Sequence, residues 1–363
     1  MADYQQRPAD IIFVIDNSES MTEEIESVQK NINQNFASII AASGIDYRVI
    51  MLSKHGSATL EQSVCIEAPL GSGPCTPVPL APNSNAPHFY QFDYEIGSLD
   101  SLCLVLDTLK GGKQPRNQPL PNGWSEWLRP DSLKVFVEIT DDGADCATTS
   151  LGENNIELYD LADDDPENEN VEGGAASAEK FDTALTQLAP EHFGTQAARN
   201  YMFFSFVGIK ENMPVTTPWP PEEPPTWEQC RPGSVDPGTT YQTLSVMTGA
   251  LRYPINQYDT YDAVFEAIAG SVISGSKLSC EVTVPEAPAG HALDLPTMKL
   301  KYTPSDGGAA LTLDKVDSPE ACSDRAFYIE NELIKLCPDT CAFARQDNSA
   351  KLEVIYACSA EPD

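Results

Sequence analysis

The chain has 363 residues, of which 41% are apolar, enough for a sizeable core and too many for one small domain. Its 55 acidic and 22 basic residues give a net charge of −33, which argues against nucleic acid as a partner because phosphate binding needs clustered Lys and Arg. No run of about 18 apolar residues is present to span a membrane as a helix. Residues 1–10 lack the basic and apolar regions of a signal peptide.

Residues 10–16 predict a fully buried strand, short, apolar and β-branched, that ends at the polar turn Asp16-Asn17-Ser18-Glu19-Ser20. Residues 20–43 predict a helix, with Met21, Ile25, Val28, Ile32, Phe36 and Ile39 on one face and Gly44 at its stop. Residues 46–53 form a second strand. The Pro/Gly/Ser-rich stretch 55–90, which carries Cys65 and Cys75, reads as loop. Ser98–Lys110 is helical, with Leu99, Leu102, Leu106 and Leu109 aligned and Gly111-Gly112 closing it.

Residues 133–140 form a further strand that runs into Asp141-Asp142-Gly143. One or two helices over 174–199, a buried strand over 201–209 and a proline-rich insertion over 214–237 follow. Then come a helix over 239–249, a short edge strand over 250–255 and a last helix over 259–274. Strand and helix alternate to residue 275, the pattern of an α/β domain with a parallel sheet and helices on both faces. Ligands of such sheets bind at the carboxyl ends of strands, where the strand order reverses. Beyond Ser276, Lys277–Pro285, Met298–Thr303, Leu311–Val316 and Lys351–Tyr356 alternate with period two, which predicts a small all-β module packed against the first part.

Ten scattered cysteines with no CxxC pair, and only four histidines far apart, read as a disulfide framework in an oxidising compartment rather than a zinc site. Five cysteines fall in each part, so either one bridge crosses between the parts or each keeps a free thiol; Cys65–Cys75 is the best local pair. The acidic run Asp163-Asp164-Asp165 with Glu167 and Glu169 lacks the glycine and spaced glutamate of an EF-hand and reads as a solvated loop. Trp124, Trp127, Trp219 and Trp227, all in proline-rich stretches, read as core or loop anchors. No GxSxG elbow, P-loop, GxGxxG or HExxH is present, and no acid–base pair assembles, so the expectation is a protein that is not an enzyme.

Asp16, Ser18 and Ser20 stand at alternate positions of a tight turn, so three oxygens can face one point. Hard divalent cations take oxygen ligands, and Mg2+ takes six in an octahedron. Asp141, at the end of another strand, can complete the ring. An Asp-Asn-Ser turn also makes a helix N-cap; the strand before it, the helix after it and the second strand end favour the cation site.

Asp16-x-Ser18-x-Ser20 after Ile11–Ile15, with Thr140-Asp141-Asp142-Gly143 after a second apolar strand, resembles the von Willebrand factor type A domain over residues 9–275. The resemblance implies a doubly wound, Rossmann-like sheet and a metal-ion-dependent adhesion site holding Mg2+, Mn2+ or Ca2+. The matching positions are Asp16, Ser18, Ser20 and Asp141. The family's threonine from a second loop has no Gly-x-Thr counterpart; Ser98 after Gly97 stands nearest, with Ser101 a poorer option. The cysteine-bearing insertions and the tail Leu336–Cys341 with Ile355–Cys358 are also similar to secreted or lipid-anchored myxobacterial proteins, gliding-motility adhesins among them, that join a type A domain to a cysteine-bearing β module.

The expectation is therefore a secreted, periplasmic or cell-surface adhesion protein whose partner presents an Asp or Glu to the metal, with loops 55–95, 111–130 and 210–238 setting specificity. A lipid anchor on the precursor goes with that reading. A structural subunit of a surface appendage and a metal-dependent hydrolase are the alternatives.

Overall fold

The computed structural model describes residues 2–5, 7–56, 62–112, 120–146, 161–163, 169–276, 280–285, 287, 291–304, 308–331, 333–344, 347 and 350–360. The chain divides into two compact units. One comprises Pro8–Ala42 and Asp46–Val272; the other comprises Ile273–Asp363, the residues up to Arg7, and Ser43–Ile45. Strand β1 (Ala2–Gln5) opens the chain and belongs to the second unit.

The first unit contains β2 (Ala9–Ile15), β3 (Tyr47–Ser53), β4 (Phe89–Asp93), β5 (Leu133–Ile139), the small hairpin β6 (Gly194–Thr195) and β7 (Ala198–Arg199), β8 (Tyr201–Val207) and β9 (Arg252–Pro254). Its helices are α1 (Thr22–Asn31), α2 (Ser38–Ala42), α3 (Ser101–Leu109), α4 (Glu172–Leu188), α5 (Pro190–Phe193), α6 (Thr239–Met247) and α7 (Tyr261–Ser276). Six strands form one sheet in the order β4-β3-β2-β5-β8-β9, and every neighbouring pair is parallel. Every residue of β2 and β5 is buried, as expected of central strands covered on both faces. On one face Ile12, Val14, Phe136 and Phe203 share a core with Leu102, Leu106, Phe181, Leu185 and Leu244 of the helices. On the other, Phe13 packs edge-on against Phe36 at 5.4 Å and stacks on Phe265 at 6.0 Å.

The strand order runs outward from β2 through β3 to β4, then restarts at β5 on the other side of β2. Ile15 pairs with Ile139, and the Asp16 amide still donates to the Ile139 carbonyl at 3.0 Å. Asp16 and Thr140-Asp141 therefore leave adjacent strands side by side, at the reversal where such sheets place their ligands.

The helix expected over 20–43 is helical from Glu19 to Ala42 but changes pitch. A short 3-10 turn (Glu19–Met21) leads into α1, and a π-helical segment (Ile32–Ala37) separates α1 from α2. The wider turn advances the register, so Ile40 rather than Ile39 is fully buried beyond Phe36. The stretch read as loop up to residue 90 closes on β4, a short edge strand whose apolar residues Phe89 and Phe92 are buried.

The second unit holds β1, β10 (Glu281–Thr283), β11 (His291–Thr303), β12 (Leu311–Lys315), β13 (Ala326–Glu330), β14 (Leu333–Leu336), α8 (Pro338–Ala344) and β15 (Lys351–Ala360). They form a mixed sheet in the order β1-β15-β11-β12-β13-β14-β10, in which β12 and β13 are parallel and the other pairs antiparallel. Met298, Leu300 and Tyr302, with Leu352 and Val354, alternate into its core. The expectation of an all-β module needs correction: Pro338 starts a helix, a position where its missing N–H costs nothing, and Cys341 of that helix is tied to Cys280.

Four disulfides are described, Cys65–Cys75, Cys103–Cys146, Cys280–Cys341 and Cys322–Cys337, each within one unit. Cys230 is free and buried. The side chain of Cys358 lies outside the described residues. Among the described residues no helix is long and apolar enough to cross a membrane.

One buried ion pair ties α4 to the hairpin and to β8. Arg199 donates to both oxygens of Asp182 at 2.8 Å, and the Tyr201 hydroxyl donates to one at 2.6 Å. Burial alone would raise the Asp182 carboxyl, but these donors outweigh it and hold the pKa below its usual value. A depressed native pKa adds stability above the unfolded value of about 4, and that stability is lost as pH falls through the native value. Asp182→Asn is expected to cost about 3 kcal/mol at pH 7. Denaturant unfolding should show the difference from wild type shrinking below about pH 4.

Candidate metal centre

The turn after β2 is built around a carboxylate that water does not reach. Asp16 is fully buried. One oxygen accepts the Ser18 N–H at 2.8 Å and the other accepts the Thr140 hydroxyl at 2.9 Å. The first bond closes the turn and the second joins it to the end of β5. Burial pushes the Asp16 carboxyl up to about 7, against the pull of those hydrogen bonds, and the charge of Asp141 adds to the rise.

Beyond that anchor the Ser18 and Ser20 hydroxyls lie 3.0 Å apart, and Ser20 donates to Asp141 at 3.3 Å. Four of the five expected residues are thus joined: Asp16 to Ser18, Ser18 to Ser20, and Ser20 to Asp141. Ser98 is placed differently. It lies in the turn after β4, and its hydroxyl acts on the Asp142 carboxyl, which burial and then the Asp141 charge raise to about 6. No hydrogen bond links it to the other four. Ser101 is buried on α3 and pairs with the Tyr241 hydroxyl at 2.9 Å, so it is not part of the cluster.

Residues outside the motif hold the turn in place. Asn17 is fully buried. Its amide donates to the Ser53 hydroxyl at 3.0 Å and the Gln62 carbonyl at 3.1 Å, and its side-chain oxygen accepts the Lys54 N–H at 2.8 Å and the Ile96 N–H at 3.3 Å. One side chain thereby fastens the Asp16–Ser20 turn to the loops that leave β3 and β4. From the other side the Asp141 carbonyl accepts the N–H of Val235 at 2.8 Å and of Asp236 at 3.4 Å, which pins the end of the proline-rich insertion to the site. That insertion is itself anchored by Arg252, whose guanidinium donates to the carbonyls of Pro220, Glu223 and Pro224.

The segment after Asp141 is clamped twice more. Cys146 is bonded to Cys103 of α3. Asp163 accepts from the Ala144 N–H and from the backbone and hydroxyls at the start of α6, namely Thr239 and Thr240. Asp163 is thus a helix-terminus acceptor rather than part of a solvated acidic loop; residues 164–168 lie outside the described residues. Gly143 fits between these acids only because it lacks a side chain, since a Cβ there would stand 2.9 Å from the Asp236 carboxylate.

The donor set suits a hard divalent cation: two carboxylates and two hydroxyls, all oxygen. Among the described residues no group of three or more His, Cys, Asp or Glu is clustered for a metal, so a cation here would have to draw on the hydroxyls as well. The negative charge here lacks a balancing cation from the protein. Among the described residues, no Lys or Arg forms an ion pair with Asp16, Asp141, Asp142 or Glu24. Glu24, one helical turn beyond Ser20, is buried and one of its oxygens has no hydrogen-bond partner. Its carboxyl is raised to about 7, chiefly by burial. Thr140, Asn17 and Glu24 are the residues that sequence reasoning missed. Only Thr140 carried a signal, as the last residue of an apolar strand beside an Asp.

No family profile and no curated protein sequence matches the chain. A solved structure similar to it is the pilus adhesin SpaC from Lactobacillus rhamnosus GG in its open conformation, at 12% identity and a TM-score of 0.34. The match covers 99% of this chain, which spans 40% of the length of that one.

Asn17→Ala is expected to destabilise the first unit by about 2–4 kcal/mol, because it orphans several buried backbone and hydroxyl groups at once. Thermal unfolding checks this. Asn17→Asp should also be destabilising, because the Gln62 carbonyl would then face an acceptor in place of an amide donor and a charge would be buried.

Proposed function

We propose that the first unit is a von Willebrand factor type A-like, doubly wound domain, and that the chain is a non-enzymatic adhesion protein that captures an acidic residue of a partner through a divalent cation. The observation that carries this reading is the pair of hydroxyls, Ser18 and Ser20, 3.0 Å apart and bonded through Ser20 to Asp141, set over the buried Asp16 where the strand order reverses. Ser18, Ser20, Asp16 and Asp141 would hold Mg2+, Mn2+ or Ca2+. Ser98, beside Asp142, would act from the rim.

When bound, the cation supplies an electrophilic position for a carboxylate oxygen of the partner. The protein residues do the rest. Thr140 and the Ser18 N–H fix the orientation of the Asp16 carboxylate, and the hydroxyls contribute oxygens without adding charge. Asn17 keeps the turn from collapsing. The proline-rich insertion, fastened to the Asp141 carbonyl, forms a wall beside the site. It exposes Val235 for contact with whatever the acidic residue is attached to. Four disulfides support a location outside the cytosol, whether secreted, periplasmic or on the cell surface.

Calorimetric titration with Mg2+ and Mn2+ tests the reading. Wild type should bind one ion, Asp16→Ala none, and Ser18→Ala with at least tenfold lower affinity. Equal binding by wild type and Asp16→Ala would overturn it.

A further inference from the structure

Glu24 occupies a position where an ordinary helix surface glutamate would not be found. It lies one turn beyond Ser20 on α1, with 4% of its surface exposed, whereas its neighbours Glu23 and Glu26 on the same helix are open to solvent. Its Oε2 has no hydrogen-bond partner, and among the described residues no Lys or Arg pairs with it. A buried acid with one oxygen unpartnered and no counter-charge costs stability and needs a reason to be there. The charges of Asp141 and Asp16 both act on it, which places it within electrostatic reach of the candidate metal site. Asp16, Asp141 and Glu24 therefore act on one another through space near the ends of β2 and β5, and among the described residues no Lys or Arg pairs with any of them.

We infer that Glu24 is a further acidic residue of the cation site, contributing a third negative charge that holds the divalent ion. The inference rests on the adhesion-site reading. The family pattern of alternate Asp and Ser positions supplies oxygens that are mostly neutral; in this chain Glu24 adds charge from the helix behind them. It acts through space or through an intervening water and strengthens ion binding. It also makes the loaded site less electron-poor than two carboxylates alone would leave it. The acid costs stability in the metal-free protein and repays it when the ion is bound.

Calorimetric titration with Mn2+ on the full chain tests this with Glu24→Gln, which keeps the shape and removes the charge. Affinity should fall about tenfold, the size expected of one partly screened charge acting on a divalent ion at close range. Glu23→Gln and Glu26→Gln, which alter the same helix at exposed positions, should each change it less than twofold. The metal-free melting temperature of Glu24→Gln should rise while the Mn2+-induced increase shrinks, a pair of opposite changes that lost packing would not produce. Unchanged Mn2+ affinity in Glu24→Gln, with Asp16→Ala still devoid of binding, would overturn the role of Glu24 and leave the site standing. A loss no greater than in Glu23→Gln would overturn it as well, as would a fall in both melting readings. Undiminished Mn2+ binding by Asp16→Ala would overturn the site itself, and the inference with it.

Discussion

The arrangement turns on one buried carboxylate. Asp16 follows a central strand into a place that water does not reach, and its two oxygens are satisfied by a backbone N–H two residues on and by a hydroxyl from the neighbouring strand. The Thr140 bond is possible only because β2 and β5 run parallel and in register to their ends. An acid cannot be kept dry without donors, so the register of two strands, the turn between β2 and α1 and the orientation of the acid constrain one another. Displacing any one of them leaves a charge in the protein interior.

The loops around that acid are held by contacts that carry little chemistry of their own. Asn17 fastens the turn to two neighbouring loops, the Asp141 carbonyl receives the end of the proline-rich insertion, and Cys103–Cys146 and Asp163 clamp the segment beyond Asp141. The result is a rim fastened at several points beside the Ser18 and Ser20 hydroxyls, the arrangement that a binding site built on loops requires if its oxygens are to be in place before the ligand arrives. The unbalanced negative charge concentrated there has the same consequence: neighbouring acids disfavour one another's ionised forms unless a cation joins them.

Much of this was legible in the sequence because the central strands are buried on both faces. Ile11–Ile15 and Val135–Ile139 are apolar runs that point to parallel strands, and the polar residues that end them point to the site. The Cys65–Cys75 bridge was legible because both cysteines lie in one loop. Strands β4, β13 and β14 were not, since short strands depend on partners that the local sequence does not name. Asn17 stood in the sequence only as a residue of the Asp16–Ser20 turn, and only the folded loops reveal that its side chain joins two of them to it. Glu24 looked like any helix glutamate, because its burial is decided by tertiary packing rather than by periodicity. Ser98 was placed near the site by its position after Gly97, but its hydroxyl faces Asp142, a neighbour that only the turn geometry could supply.

Anomalous diffraction from crystals of the protein grown or soaked with Mn2+ addresses the central claim most directly. A single strong Mn2+ peak bounded by the side chains of Asp16, Ser18, Ser20 and Asp141 is expected. An ordered Asp16–Ser20 turn with no peak there, or a peak only at unrelated surface acids, would contradict it.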